Sequence, residues 1–145
     1  MFLLDTNVVS ELNRPRPALE VTTWIQSVSQ RDLFLSVISI AEIVRGITRH
    51  PDPIRKQALQ HWLDSFVRPW LHQRILPLSE AVAEITGQLS GQQESSGKPI
   101  SLADAAIAAT AIQYGYTLVT RNVKYFSGLP LDILNPWTDT VPRKA

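Results

Sequence analysis

Cysteine is absent from all 145 residues, which removes disulfide frameworks, thiolate zinc sites and cysteine nucleophiles together. Any metal must therefore be held by oxygen or imidazole. Long apolar runs are absent too: Glu, Arg, Ser or Pro interrupts each one well before the ~20 residues that a membrane-spanning helix requires. That excludes a transmembrane protein. The amino terminus has an acid at position 5 with polar residues directly after it, and lacks the basic segment and apolar core of a secretory signal. The expectation is a cytoplasmic protein with no membrane partner. Charge of one sign is scarce, with 14 basic residues against 13 acidic, so bulk electrostatics gives no ground for polyanion binding. Arg45, Arg49, Arg121 and Lys124 lie near acidic positions in the chain, and they read as solvated surface charge. No repeat, low-complexity run or Gly/Ser linker divides the chain. With 44% hydrophobic residues, it reads as one domain over residues 1–138 and a flexible tail over 139–145.

What is present alternates short apolar runs with helical periodicity. Phe2 to Leu4 is a buried strand running into Asp5-Thr6-Asn7, a helix cap, with a helix from about Val8 to Asn13. Pro15 and Pro17 stop it, and a second helix spans Ala18 to Ser29. Leu33 to Val37 is a second strand, after which Ser39 starts a helix with Ile40, Ile43, Val44 and Ile47 facing the core. Ile54 to His72 is a long amphipathic helix that Pro69 bends or stops. Arg74 to Leu78 is a third strand, and Ser79 to Ser90 a helix running into a glycine-rich stretch. Ser101 to Tyr114 is an alanine-rich helix closed by Gly115; Thr117 to Thr120 and Leu131 to Leu134 are further strands. The order predicts an α/β fold with a parallel sheet covered on both faces, where ligands bind beyond the carboxyl ends of the strands.

Four polar positions fall at that edge: Asp5 after the first strand, Glu42 in the helix after the second, Asp104 in the first turn of the alanine-rich helix, and Asn122 after the fourth strand. Each has a local structural reading. Asp5 caps a helix, Ser39 with Glu42 and Ser101 with Asp104 have capping-box spacing, and Asn122 is a turn residue. Together they point further, because two carboxylates about 4 Å apart repel by ~4 kcal/mol at an effective dielectric of ~20. A cation relieves that repulsion. Hard oxygen donors point to Mg²⁺, with Mn²⁺ able to substitute, and such an ion activates water and neutralises charge on a scissile phosphate. Thr6 and Thr120 are placed either to orient a carboxylate or bound water, or merely to close a local hydrogen bond.

The blocks Phe2-Leu3-Leu4-Asp5-Thr6-Asn7-Val8, Ser39-Ile40-Ala41-Glu42, Ser101 to Ala111, Thr120-Arg121-Asn122 and Asn135-Pro136-Trp137 resemble the PIN-domain ribonuclease toxins of the VapC/FitB type, in order and spacing over nearly the whole chain. The resemblance implies a three-layer α/β/α PIN fold with a short central parallel sheet. It also implies Mg²⁺- or Mn²⁺-dependent endoribonuclease activity on RNA, homodimerisation and neutralisation by a small cognate antitoxin. Asp5, Glu42 and Asp104 match the family's acidic triad, and Asn122 its variable fourth position, often Asp; the resemblance makes these residues catalytic and metal-binding. Members of this group often carry Asp-Phe where this chain has Tyr125-Phe126, which lowers the charge at the fourth corner and weakens the case for a second tight metal.

Competing readings are thinner. His50, His61 and His72 are separated by prolines and read as surface residues, which argues against a paired-histidine ribonuclease. Asn7 stands where an aspartyl-phosphate phosphatase wants a second acid, and Gly87, Gly91 and Gly97 lack the lysine of a Walker phosphate loop. The alternative class is a catalytically weak PIN-like module that binds RNA or protein through the same groove, favoured by Asn122 and Tyr125. A protein-binding scaffold is a third reading, if Trp62, Phe66 and Trp70 line an exposed groove and not the core.

Overall fold

Alternation within the strands sets the architecture. In the computed structural model, which describes residues 1–145, β1 (Phe2–Leu4) sends Leu3 to one face of the sheet and Leu4 to the other. Leu118 and Ile133 join Leu3, whereas Leu33, Leu35, Val119 and Leu134 join Leu4. Both faces are apolar, so each needs a helical layer, and the result is the three-layer α/β/α arrangement expected. One layer holds α6 (Glu80–Ser95) and α7 (Leu102–Tyr114); Val82, Leu89 and Ile107 pack on the Leu3 face. The other holds α1 (Thr6–Glu11), α2 (Leu19–Ser27) and α3 (Val37–Arg49), with Val8, Val21, Trp24, Ile43 and Ile47 on the Leu4 face. Leu63, Val67 and Leu71 complete that layer from the segment after α4 (Pro53–Trp62).

The strand order is β3-β2-β1-β4-β5-β6, where β2 is Leu33–Ser36, β3 Ile75–Leu76, β4 Thr117–Val119, β5 Asp132–Leu134 and β6 Arg143–Lys144. The first five run parallel, with Leu3 in register with Phe34 on one side and Leu118 on the other. The chain winds outward from β1 through β2 to β3, then crosses back to place β4 on the opposite side of β1. The order therefore reverses between β1 and β4, and their carboxyl ends flank the crevice where parallel α/β sheets bind ligands.

Several expected boundaries move. The helix after β2 begins at Val37 because Ser36 Oγ, not Ser39, takes the cap position and accepts the Ile38 N–H at 3.0 Å. Ser39 is a buried residue of the helix itself. The expected 54–72 helix is three pieces: α4, a wide π-type turn over Leu63–Val67, and α5 (Arg68–Trp70). Pro69 has no N–H for the turn before it, and that turn widens so that the Arg68 N–H reaches the Leu63 carbonyl. Helix α6 continues through Gly87 and Gly91 to Ser95, because Val82, Thr86 and Leu89 form a buried stripe against α7. Helix α7 keeps its expected bounds: Ser101 Oγ accepts the Asp104 N–H at 3.0 Å, and Gly115 at φ 69° supplies the left-handed C-cap. Within residues 139–145, expected as a flexible tail, Arg143–Lys144 forms a two-residue antiparallel edge strand. Ile133 pairs with Arg143, Asp132 with Lys144, and Lys144 Nζ lies 3.0 Å from Asp132.

The aromatic stripe divides. Trp62 and Trp70 are half-buried against the Leu4-face core, whereas Phe66 is exposed and stacks on Trp70 with centroids 5.4 Å apart. No helix is long and apolar enough to cross a membrane.

Candidate active site

Asp5 is the first residue beyond β1, and its backbone N–H continues the ladder to Val119 of β4 at 2.8 Å. Its extended backbone makes it the N-cap of α1, and Oδ1 accepts the Thr6 N–H at 2.7 Å. Oδ2 accepts from Thr120 Oγ1 at 2.7 Å and from Asn7 Nδ2 at 3.2 Å. Thr120, fully buried beyond β4, also accepts the N–H of Asn122 at 3.0 Å and a second bond from Asn7 Nδ2 at 3.2 Å. Asn7 Oδ1 in turn accepts the Arg121 N–H at 3.2 Å. Asn7 and Thr120 thus lace the ends of β1 and β4 across the point where the strand order reverses. Of the readings open for Thr120, the contact made is the one to a carboxylate. Asn7, given no role of its own at the site by the sequence reading, is part of the same frame; the signal was its place two residues past a strand-ending acid.

Glu42 is exposed on α3, one helical turn after Ser39. Thr6 Oγ1 lies 2.7 Å from Glu42 Oε1 and 2.8 Å from Ser39 Oγ. With a single proton to give, the Thr6 hydroxyl donates to the carboxylate and accepts from Ser39. Ser39 therefore buttresses the site through Thr6 and does not cap the helix. Thr6 joins two of the acids, giving its N–H to Asp5 and its hydroxyl to Glu42.

Asp104 sits half-buried in the first turn of α7, where the helix dipole favours its charge. It reaches Asp5 by field and not by hydrogen bond. Burial pushes the Asp5 carboxyl up from 3.8 to about 6; the Thr120 and Thr6 hydrogen bonds hold it down, and the charges of Asp104 and Glu42 add to the rise. Asn122 is exposed and tied to the frame only through its backbone N–H. The structure thus links Asp5 with Glu42 through Thr6, sets Asp104 within electrostatic range, and leaves the Asn122 side chain apart. No three Asp, Glu or His side chains are gathered closely enough to hold a metal ion.

Around this edge the cations are exposed and none forms an ion pair with a site acid. The Arg121 guanidinium lies 4.9 Å from the centroid of the Trp137 ring, and the Trp137 backbone N–H donates to Asn135 Oδ1 at 3.0 Å. The Asn135-Pro136-Trp137 block is therefore a support for the β4 end of the site. Asp104 lines a cleft of about 790 Å³ with Lys98, Ser101, Lys124, Tyr125 and Arg143.

Comparison with known proteins agrees with the fold and the motif order. The sequence pattern of the family described as PIN domain matches residues 2–128. Toxin FitB of Neisseria gonorrhoeae is 39% identical over 139 residues, covering 96% of this chain and all of that protein. VapC ribonuclease Y4jK of Sinorhizobium fredii is also 39% identical, over 94% of this chain and 98% of its own length. The crystal structure of FitAcB from Neisseria gonorrhoeae superposes with a TM-score of 0.88 at 38% identity, covering 95% of this chain and 99% of that one. A toxin-antitoxin complex from Klebsiella pneumoniae gives 0.67 at 26% identity, over 94% and 98% of the two chains. This chain belongs to the PIN-domain family, among the toxins of the VapC/FitB type.

Proposed function

We propose that the protein is a metal-dependent endoribonuclease that acts as the toxin of a toxin–antitoxin pair. The observation that carries the reading is the acidic frame at the β1/β4 crevice: Asp5 locked by three donors, Glu42 bridged to it through Thr6, and Asp104 felt by it as charge. The names of the relatives, a toxin, a VapC ribonuclease and a toxin-antitoxin complex, point the same way.

The donor set suits a hard divalent cation. It offers carboxylates and an amide, with neither thiolate nor imidazole, and the charge that Asp104 and Glu42 press on Asp5 is relieved by a cation. Asp5 and Asp104 would be the principal ligands of Mg²⁺ or Mn²⁺, with Glu42 as a further ligand or as the group that orients water, and Asn122 completing the polar ring. When bound, the ion lowers the pKa of a water and balances charge on a scissile phosphate.

The residues themselves do the rest. Asp5 is ionised above about pH 6 and held in place by Thr6, Asn7 and Thr120, so little ordering of Asp5 itself is left to occur on binding, whereas Asp104 and Glu42 have to close on the ion. Glu42, exposed and anchored at one oxygen by Thr6, keeps its second oxygen free to orient the attacking water and take its proton. Asn122 can donate to a phosphate oxygen. Attack by water leaves 5′-phosphate and 3′-hydroxyl ends. A cognate antitoxin and a second copy of the chain are the proposed partners; an antitoxin arginine set among Asp5, Glu42 and Asp104 would replace the cation electrostatically.

The test is cleavage of a mixed RNA pool by the purified protein with Mg²⁺ or with EDTA, for wild type, Asp5→Asn and Asp104→Asn, with circular dichroism on each preparation. Folded variants that lose cleavage support the reading. Wild-type rates in either variant overturn the assignment of acids, and a wild type that binds RNA without ever cutting it leaves a binding module.

A further inference from the structure

The 3₁₀ turn Val123–Phe126 holds two aromatic neighbours with opposite fates. Phe126 is fully buried in the Leu3-face core, while Tyr125 is 53% exposed on the wall of the cleft that Asp104 lines. Packing explains Phe126 and leaves Tyr125 unexplained. Its hydroxyl makes no hydrogen bond within the chain, so it is not a buried ring with an anchored tip. Lys124 Nζ lies 5.6 Å from the ring centroid, and Lys98 faces the same cleft from the loop before α7. Neither lysine has a carboxylate within ion-pair distance. Arg143 enters from β6, with its Nε 3.3 Å from Asp139.

Resting on the nuclease reading above, we propose that Tyr125 is a base-stacking residue for single-stranded RNA, seating the nucleotide next to the scissile phosphate, with Lys98 and Lys124 on the flanking phosphates. The chemistry is that of a sequence-tolerant single-strand site: a half-exposed aromatic ring with the Lys124 ammonium over it, a second unpaired cation at Lys98 in the same cleft, and a volume of about 790 Å³, large enough for a nucleotide, with a candidate catalytic acid on its wall. An aromatic ring accepts any base but holds purines more strongly, so Tyr125 sets a base preference that the acids do not.

The experiment uses fluorescein-labelled 12-nucleotide oligoadenylate and oligouridylate RNAs with the full chain in EDTA, where binding is read by anisotropy without cleavage. Tyr125→Ala should raise the Kd for oligoadenylate by about 5- to 100-fold and erase the preference for adenine over uracil. Tyr125→Phe should stay within about twofold of wild type. Lys98→Gln and Lys124→Gln should each lower the slope of log K against log salt by about 0.7 while keeping the base preference. Wild-type affinity in Tyr125→Ala overturns the proposal, as does a Phe variant as weak as Ala. So does an Ala variant that loses only a protein partner. A wild type that cuts RNA with Mg²⁺ while Tyr125→Ala binds normally keeps the nuclease reading and discards this one. Tyr125-dependent binding without any cleavage does the reverse.

Discussion

At neutral pH the substitution Asp5→Asn should leave the metal-free protein at least as stable as wild type, and any gain should disappear in acid. Asp5 is 4% exposed, and its carboxyl rises from 3.8 to about 6 on folding, which corresponds to about 3 kcal/mol. Below pH 4 the group is protonated whether the chain is folded or not, and costs nothing. Between pH 4 and 6 the unfolded chain releases the proton first, so stability falls as pH rises; above pH 6 the full cost is present. Asparagine does not titrate there. It does present an amino group where Oδ2 accepted from Thr120 and Asn7, and that mismatch costs about 1–2 kcal/mol at every pH. The net expectation is a variant about 1–2 kcal/mol more stable than wild type at pH 7.5 and less stable at pH 4. The assay is urea denaturation of both proteins in EDTA at half-unit pH steps. A stability difference that stays flat between pH 4 and 7 would refute the reasoning.

Other outcomes follow from the same contacts. Thr120→Val removes a donor from Asp5 and an acceptor from the Asn122 N–H; it should raise the Asp5 titration midpoint further and cost about 1–3 kcal/mol, both read from the same pH series. Calorimetric titration with Mn²⁺ should give one site per chain without RNA, and Asn122→Asp should tighten it, since an added anion beside a cation is favourable; two equally tight wild-type sites would contradict this. Ala108→Leu, at a fully buried position of α7, should cost about 1–3 kcal/mol by overpacking, measured by denaturation.

What could be read from the chain was whatever had its cause within a few residues. Asp5 announced itself because a three-residue apolar strand ends on a good cap, and α7 because Ser101 and Gly115 mark both ends. The acids were expected at one edge because parallel α/β topology puts strand ends there. The rest depended on partners distant in sequence. Ser36 and Ser39 are equally good caps locally, and what separates them is that β2 extends to Ser36 in register with Leu76. Gly91 looked like a breaker, ending the expected helix at Ser90, until packing on α7 overrode propensity. Arg143–Lys144 looked like a polar tail because the pairing that orders it lies at Asp132–Ile133. The links from Thr6 to Glu42 and from Thr120 to Asp5 cross 36 and 115 positions, so the sequence offered the residues without the frame.

The most direct test of the central claim is the chemistry of the cut ends. An RNA cleaved by the wild-type protein in Mg²⁺ should carry 5′-phosphate and 3′-hydroxyl termini, with no cleavage in EDTA and none by folded Asp104→Asn. Cyclic 2′,3′-phosphate ends, or cleavage that survives EDTA or the loss of the Asp104 carboxylate, would contradict the assignment of water as nucleophile and of Asp5, Glu42 and Asp104 as its machinery.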